Sequence, residues 1–414
     1  MNDQAFFTQR IQEPVFTGPL GAYIDKFVSV LLRQGYARCS VSKKIQIISK
    51  LSKWLQEKQL PVKELDEAWV KRFICSQEKK NTLRRGDQAT LKQFIQLLRE
   101  ECVLAAPAPK PCDSLIEIIK NSFSKYLKQE RGLSQSTLDN YLPNVELFLI
   151  ERFGKKNIVL DKLRSQDISR FILRHAHEMS VGRAQLMTTS LRSFFSFLYQ
   201  QGQIATNLSE AVPTVAKWRF STIPKFLLPA QVNRILEACD KKTHIGQRNY
   251  AILLLLARLG LRAGEIVNIQ LEDINWENAE ILVRGKSSQE QKLPLPEDVG
   301  QAIATYLRYS RPCCSSRKVF IRMLAPRQGF YSSSAVCCIV ERAIADAGLD
   351  LDFKGAHLFR HTLATDMLKG GASISEISQI LRHQLPNTTE IYAKVDLEAL
   401  RAIALPWPRE VSCD

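Results

Sequence analysis

The sequence predicts a mainly helical α+β protein, with two small helical domains followed by a larger domain of helices and one β-hairpin. Three observations lead to this fold class: a repeat in the first half, apolar residues at helical spacing in both copies, and two short strand-like segments in the second half. A chain of 414 residues is too long for one ordinary domain and suits two or three.

Proline-rich breaks separate the parts. In residues 105–111 every second position from 107 is proline, which removes backbone donors and stiffens the segment, as is typical of a linker. The second break lies between Pro213 and Pro229 and includes Pro224. We therefore expect three domains, at residues 1–104, 113–213 and 224–406.

The first two domains look like copies of one another. Five residues of the first domain match five of the second at a constant offset of 97. The matched pairs are Gly35 and Gly132, Val41 and Leu138, Ile45 and Leu142, Ile48 and Val145, and Leu51 and Phe148. Residues 70–74 match 168–172 at an offset of 98, so the drift indicates small insertions. A spacing of this length indicates duplication of a whole domain, since solenoid repeats run at about 20–50 residues.

Apolar spacing predicts helices in both copies. In the second copy it follows i, i+4, i+7 and i+11, one helix face, at Leu138, Leu142, Val145 and Leu149. Ser134 and Ser136 precede this run and are expected to cap the helix. The aromatic run at 194–199 is expected to form core, since such a stripe is more often core than a base-stacking platform.

The C-terminal part mixes helices with one hairpin. Residues 251–259 predict a strongly apolar helix. Residues 279–283 predict a strand and 291–295 its partner, with the turn between Gly285 and Glu290. Further helices are expected at 332–347, 357–368 and 374–381.

The chain is strongly basic, with a formal net charge of +16. Residues 1–220 hold 34 Lys and Arg against 21 Asp and Glu, so most of the excess lies in the first half. Nucleic acid is the favoured partner, because Lys and Arg contacts to phosphates release counterions. A basic surface that only maintains solubility is the alternative, and charge alone does not separate the two.

Other classes of protein find little support. No run of 18 apolar residues occurs, so no membrane span is expected. The first residues lack the apolar stretch of a signal peptide, which favours a cytoplasmic protein. The ten cysteines show no C-x-x-C spacing, so neither a zinc site nor a disulfide framework is expected.

Two motifs carry candidate anion-binding residues. Arg262 lies between Gly260 and Gly264 directly after the apolar helix, and glycines let the backbone turn sharply and bring the guanidinium close to a ligand. His357 and Arg360 are three residues apart and share a face near the start of a predicted helix, where anions are favoured. Taken singly, each motif also fits an ordinary surface arginine or half-buried histidine.

Three further residues complete the pattern. Lys286 lies on the predicted hairpin turn, and Tyr392 follows His383 after nine residues. A lone tyrosine in such a segment is normally a packing residue. In contrast, we assign no role to four other histidines: His175, His177, His244 and His361.

Taken together and in this order, these residues resemble the tyrosine recombinase family, also called the phage integrase family. That family carries an Arg in a G-L-R-x-x-E context, a Lys on a β-hairpin turn, an H-x-x-R-H helix and an L-G-H…T-T…Y segment. Residues 260–265 read GLRAGE, residues 357–361 read HLFRH and residues 388–392 read TTEIY. The resemblance covers residues 224–406, and residues 113–213 resemble the family's helical, SAM-like core-binding domain.

This chain departs from the family pattern at several points. Arg382 stands where many relatives have Gly before the second His. The hairpin reads Gly-Lys-Ser-Ser, and Lys292 on the same hairpin is an alternative to Lys286. The additional domain at 1–104 is atypical of compact relatives and resembles the longer recombinases encoded by transposons.

The resemblance implies transesterification without metal, ATP or another cofactor. Tyr392 would attack the scissile phosphate and form a 3′-phosphotyrosyl bond. A 5′-hydroxyl of a second duplex would then attack this bond and release Tyr392. The resemblance implies that Arg262 and Arg360 clamp the non-bridging oxygens. It also implies that His383 adds a hydrogen bond to them.

The remaining implied roles concern protons and orientation. His357 would assist removal of the phenol proton, since an unperturbed tyrosine pKa of about 10 requires activation at neutral pH. Lys286 would protonate the leaving 5′-oxygen, and Glu265 would orient its helix. The implied partner is double-stranded DNA held in a C-shaped clamp. The implied assembly is a homo- or hetero-oligomer, a tetramer on two duplexes.

Several functions remain open. The additional domain favours transposition or integration of a mobile element, while dimer resolution and inversion use the same active site. A non-catalytic DNA-binding accessory subunit would share the fold but lack active-site residues. A type IB topoisomerase would share the chemistry without strand exchange. A metal nuclease would need a carboxylate cluster, which the sequence does not show.

Overall fold

The structure, a computed structural model, describes residues 18–105, 115–154, 158–216, 224–285, 290–351, 353–382, 389–394 and 401. By its internal contacts the chain divides into two compact units. The first unit joins residues 1–104 with residues 222–414, and the second unit is residues 105–221. Each unit is described by itself.

The described part of the N-terminal segment of the first unit is a group of four helices. Their bounds are Gly21–Arg33 (α1), Arg38–Glu57 (α2), Glu67–Lys79 (α3) and Asp87–Glu100 (α4), with a 3₁₀ turn at Val62–Glu64. Phe27 and Phe94 are fully buried and meet edge to face, with ring centroids 5.1 Å apart. The Asp66 carboxylate caps α3 by accepting the Trp69 N–H at 2.8 Å. This segment therefore has a hydrophobic core of its own.

The described residues of the second unit also form four helices. They are Leu115–Gln129 (α5), Gln135–Phe153 (α6), Ser165–Ala176 (α7) and Val181–Gln200 (α8), with a 3₁₀ turn at Leu160–Lys162. The aromatic run on α8 is core, as predicted: Phe194, Phe195 and Phe197 are buried, and Tyr199 at the end of the run is exposed.

The predicted serine cap of α6 is confirmed in position, at Ser134, but its side chain makes no capping hydrogen bond. Ser134 occupies the position before the helix, but its hydroxyl pairs with the Thr137 hydroxyl at 3.1 Å and makes no capping bond to the backbone. Ser136 lies inside the helix. The helix is held instead by burial of Leu138, Val145 and Leu149 on one face.

The four-helix segments share their order of elements, with the 3₁₀ turn between the second and third helices of each. Helices α2 and α6 begin at residues 38 and 135, an offset of 97. Helices α3 and α7 begin at residues 67 and 165, an offset of 98. These offsets are the spacings at which the two sequences match.

The C-terminal segment of the first unit is built around one central helix, His244–Leu259 (α10). Residues 251–256 are buried on all sides, because α10 packs against helices on several faces. The packed helices are Pro229–Glu237 (α9), Ala263–Asn268 (α11), Glu297–Thr305 (α12), Ser334–Asp346 (α13) and His357–Lys369 (α14). A π-helical turn at Tyr306–Ser310 continues α12, and Ile374–Ile380 (α15) packs on α14.

A small antiparallel sheet lies in the same segment. Its strands are Ile274–Asn275 (β1), Glu280–Arg284 (β2) and Glu290–Pro294 (β3), in the order β1-β2-β3. Ile281 and Val283 of β2 are buried and alternate with half-buried residues, which is the period of two that predicted the strand. The predicted hairpin is confirmed, with Ile281 opposite Leu293. Strand β1 was missed because two residues are too few to show alternation.

Helices dominate the described chain and one small sheet accompanies them, so the predicted fold class is confirmed. Among the described residues, no helix is both long and apolar enough to cross a membrane. The eight cysteines in this part of the chain are all free thiols.

We expect Phe194→Ala to destabilise the second unit by about 3–5 kcal/mol, the usual cost of removing a buried ring. Phe194 is fully buried and contacts the rings of Phe123 and Phe195, at centroid distances of 5.2 and 5.7 Å. Tyr199→Ala is the matched control on the same helix, because Tyr199 is 47% exposed. Urea unfolding followed by circular dichroism measures both, and equal losses in the two variants would contradict this packing.

Candidate active site

The candidate site is assembled from four short pieces of the C-terminal segment. They are the turn after α10, the first turns of α14, the end of α15, and a 3₁₀ helix at Glu390–Lys394. Gly260 ends α10 in the left-handed conformation, with φ 56°. A Cβ there would lie 3.0 Å from the Leu363 side chain, so the turn needs glycine both for its conformation and for the close approach. At Gly264 a Cβ would meet no described atom within 4 Å, so of these two positions only that of Gly260 has a demand for glycine among the described residues.

Arg262 is held by Glu265. The Glu265 carboxylate accepts the Arg262 backbone N–H and its guanidinium Nη1, each at 2.8 Å. Glu265 is 5% exposed, whereas the Arg262 side chain remains 35% exposed. The carboxylate therefore caps α11 and fixes one edge of the guanidinium, and the remainder of the Arg262 side chain is left accessible.

Arg360 is the most deeply buried charge of the site, at 3% exposure. Its Nη1 donates to the Gly260 carbonyl at 2.7 Å, and its Nη2 donates to the Leu381 carbonyl. Burial, followed by the positive charges of Arg262 and Arg382, lowers the pKa of Arg360 to about 10. The guanidinium therefore remains charged at neutral pH.

Tyr392 is 1% exposed and packs in a small core with Ala364, Ile377 and Leu381. Its hydroxyl lies 2.8 Å from Nδ1 of His361. Burial raises the pKa of Tyr392 to about 12, and the positive charge of Arg360 opposes that rise. In this geometry the phenol is neutral and shielded from solvent.

His361 is therefore a site residue that the sequence analysis missed. Burial, and then the neighbouring His357 and Arg360, lower the pKa of His361 to about 4, so the ring is neutral when it meets the phenol. The available signal was its spacing, because His357 and His361 are four residues apart on α14 and share a face.

His357 stands at the first turn of α14 and is exposed as a whole residue. Partial burial of its ring, followed by the charges of Arg360 and Arg262, lowers its pKa below the ordinary value. The imidazole is thus held neutral near neutral pH, the form that accepts a proton. Its ring centroid is 6.5 Å from that of His361.

Two of the predicted site residues, Lys286 and His383, lie outside the described residues. The alternative hairpin lysine, Lys292, is on β3 with its side chain 69% exposed, and pairs with Glu280 at 3.3 Å. The part of the chain that the structure describes contains no group of three or more His, Cys, Asp and Glu arranged to hold a metal ion.

Two family models match this chain. The model for the phage integrase family matches residues 225–398, and the model for the phage integrase N-terminal SAM-like domain matches residues 121–202. The protein y4rA of Sinorhizobium fredii, described as an integrase/recombinase, is 40% identical over 394 residues, which are 95% of this chain and 96% of that protein. The tyrosine recombinase XerC of Thermodesulfovibrio yellowstonii is 31% identical over 287 residues, 67% of this chain and 92% of that protein.

Solved structures share the fold. The XerH site-specific recombinase bound to its palindromic difH substrate matches with a TM-score of 0.55 at 20% identity, over 68% of this chain and 83% of that one. The lambda integrase tetramer bound to a Holliday junction matches with a TM-score of 0.52 at 18% identity, over 75% and 88%. The Tn1549 transposon integrase in complex with a circular intermediate DNA matches with a TM-score of 0.51 at 17% identity, over 68% and 99%.

We expect the Tyr392 phenol of the DNA-free protein to resist ionisation until about pH 12, because burial disfavours the phenolate. The raised pKa gives a stability contribution that is fully present below pH 10, the ordinary value, and is lost as the pH rises towards 12. The measurement is the near-ultraviolet absorbance difference between wild type and Tyr392→Phe during an alkaline titration, with circular dichroism to verify that both stay folded. A phenolate step near pH 10 that only the wild type shows would contradict the burial.

Proposed function

The chain belongs to the phage integrase family and is a site-specific tyrosine recombinase, and from this premise we propose that Tyr392 is the nucleophile that cuts and rejoins DNA. One observation carries the assignment. Arg360 bonds the Gly260 carbonyl, two residues before Arg262, and its charge acts on the Tyr392 phenol, so the three residues come from separate parts of the sequence and lie in one region. A nucleophile beside two fixed cations is the arrangement that phosphoryl transfer requires.

In the proposed reaction the Tyr392 oxygen attacks the scissile phosphorus and the bond to the 5′-oxygen breaks. The phenol proton leaves, and the 5′-oxygen is released as a hydroxyl. A 5′-hydroxyl from a second duplex then attacks the phosphotyrosine, restores a phosphodiester and releases Tyr392. The energy of the broken linkage is kept in the covalent intermediate, so no nucleotide is consumed.

The two arginines would stabilise the negative charge that builds up on the non-bridging oxygens. Guanidinium groups are always charged and present paired donors that match phosphate. In this structure Arg360 donates to main-chain carbonyls, and Arg262 is bound to Glu265 with its Nη2 3.5 Å from the Arg382 carbonyl. We propose that a phosphate oxygen replaces the long contact of Arg262 to the Arg382 carbonyl when DNA binds, and that Arg360 donates to phosphate through N–H groups its two carbonyl bonds leave free.

The phenol has to leave its buried position before it can attack. We propose that His361 holds Tyr392 neutral in the DNA-free protein and that neutral His357 assists proton removal once the phenol reaches the phosphate. The lowered pKa of each imidazole supports this division, since both rings are able to accept a hydrogen bond. By resemblance, Lys286 would protonate the leaving 5′-oxygen and His383 would bind a non-bridging oxygen.

We propose that the chain acts in transposition or integration of a mobile element, as a homo- or hetero-oligomer on double-stranded DNA. Likeness to a transposon integrase and to an integrase tetramer on a Holliday junction supports this. An accessory subunit without catalysis is not favoured, because Arg262, His357, Arg360 and Tyr392 are all present. A type IB topoisomerase would relax any supercoiled plasmid, whereas this protein should require its own site.

We further propose three domains in sequence order. Residues 1–104 form a DNA-binding domain that duplicates the core-binding domain at 113–213, and residues 224–406 form the catalytic domain. The shared order of elements and the separate core support the first assignment. The basic excess of residues 1–220 supports contact with phosphates.

We expect wild-type protein, incubated without metal with nicked duplexes made from the DNA flanking its gene, to form a denaturant-resistant protein–DNA band. Tyr392→Phe should form none, because it removes the oxygen that makes the covalent bond. Tyr309→Phe is the control, since Tyr309 is 69% exposed. A band from Tyr392→Phe would place the nucleophile elsewhere and refute the assignment.

We expect deletion of residues 1–104 to weaken DNA binding and shorten the footprint on those ends. The reason is the loss of a basic segment that would contact phosphates beyond the core site. Nuclease footprinting and binding at several salt concentrations measure the change, and circular dichroism verifies that the shortened chain is folded. An unchanged footprint from a folded shortened chain would count against a DNA-binding role.

A further inference from the structure

Arg382 has an unusual backbone for its residue type. It lies two residues beyond Ile380, the last residue of α15, and its φ is 57°, in the left-handed region. A residue with a Cβ pays about 1–2 kcal/mol to adopt that conformation, whereas glycine adopts it freely. Many members of the resembled family have glycine here, so this chain keeps the turn and adds a side chain at some cost.

The added side chain is buried at the candidate site. It is 7% exposed, and its Nη2 donates to Oε2 of Glu265 at 2.9 Å. Its Nε has no hydrogen-bond partner among the described residues. Backbone strain at a buried, charged residue indicates a role other than stability.

Arg382 shares Glu265 with Arg262. Each carboxylate oxygen holds a different guanidinium: Oε1 that of Arg262 at 2.8 Å and Oε2 that of Arg382 at 2.9 Å. The Arg382 carbonyl lies 3.5 Å from Nη2 of Arg262, which closes a ring of contacts. A change at Arg382 therefore reaches Arg262 both through the carboxylate and through the main chain.

The charges around Glu265 do not balance. The positive charges of Arg262 and Arg382 act on Arg360, and Glu265 is the one carboxylate among the described groups acting on it. Three guanidiniums against one carboxylate leave an excess of two positive charges. With glycine in place of Arg382 the excess would be one, because Glu265 would cancel the charge of Arg262. A phosphodiester carries one negative charge and the transition state for its cleavage concentrates charge on the non-bridging oxygens.

We propose that Arg382 is a positioning residue for strand cleavage, which pairs with Glu265 so that the charge of Arg262 remains available to the scissile phosphate. This rests on the proposed phosphate-binding role of Arg262. Arg382 acts through Glu265 and Arg262, and it makes this site more positive than that of a relative with glycine.

The test uses three full-length variants: Arg382→Gly, Arg382→Gln and Arg382→Lys. Arg382→Gly relieves the backbone strain, so its melting temperature should stay near that of wild type, while single-turnover cleavage of the nicked duplex falls. We expect a loss of about ten- to a hundredfold, below the hundred- to thousandfold typical of removing a direct transition-state donor. Arg382→Gln should resemble Arg382→Gly, and Arg382→Lys should recover part of the rate because it keeps the charge.

A neutral methylphosphonate at the scissile position separates an electrostatic role from a structural one. It removes the negative charge that the arginines would neutralise, so the rate deficit of Arg382→Gly relative to wild type should shrink on it. A merely structural defect would persist on both substrates. Arg258→Gln is the matched control, because it removes an exposed arginine from its pair with Asp298 and should leave cleavage unchanged.

The outcomes are distinguishable. Normal cleavage by Arg382→Gly, the same deficit on both substrates, or an equal loss in Arg258→Gln would overturn the role of Arg382. Arg262→Gln is run in parallel: if it cleaves as wild type does, the assignment of the phosphate site itself fails. If Arg262→Gln is inactive and Arg382→Gly is normal, the site assignment stands and only the positioning role is lost.

Discussion

The geometry of the candidate site depends on two hydrogen bonds that the buried guanidinium of Arg360 donates to main-chain carbonyls. The guanidinium bonds the carbonyl of Gly260, at the turn after α10, and the carbonyl of Leu381, at the end of α15, while it belongs itself to α14. Three separate segments of the chain are thereby held together by one charged group. A buried cation with unsatisfied donors would be costly, so the two carbonyls are needed for the fold and also hold the group that would bind phosphate.

Burial also sets the protonation state of Tyr392, the proposed nucleophile. A phenol packed among aliphatic side chains and bonded to a neutral imidazole has little tendency to ionise, which is why the pKa of Tyr392 is raised to about 12. Such an arrangement protects the hydroxyl while no DNA is bound, and the reactive state would require the tyrosine to move. In the proposed reaction, stability of the 3₁₀ helix that carries Tyr392 would therefore oppose reactivity of its side chain.

Much of the site was predictable because its residues lie in short, specific motifs. Arg262, His357, Arg360 and Tyr392 were chosen from motifs and their order, and the structure brings these four residues into one region. His361 was passed over because a histidine beside a motif arginine carries no signal of its own; only the position of Tyr392 in space gives it a partner. Arg382 was noticed as a departure from the family, but its pairing with Glu265 depends on a backbone conformation that the sequence does not display.

The sequence by itself determined the helical repeat, the hairpin and the family, because periodicity and motif order are local properties of the chain. It also indicated α10 as a core helix, since residues 251–256 are apolar on every face. Only the tertiary structure decided which charges share the Glu265 carboxylate and which ring meets the Tyr392 phenol. The Arg382–Glu265 and His361–Tyr392 pairings join residues 117 and 31 positions apart, and the burial that shifts the pKa values of His361 and Tyr392 arises only when distant segments pack together.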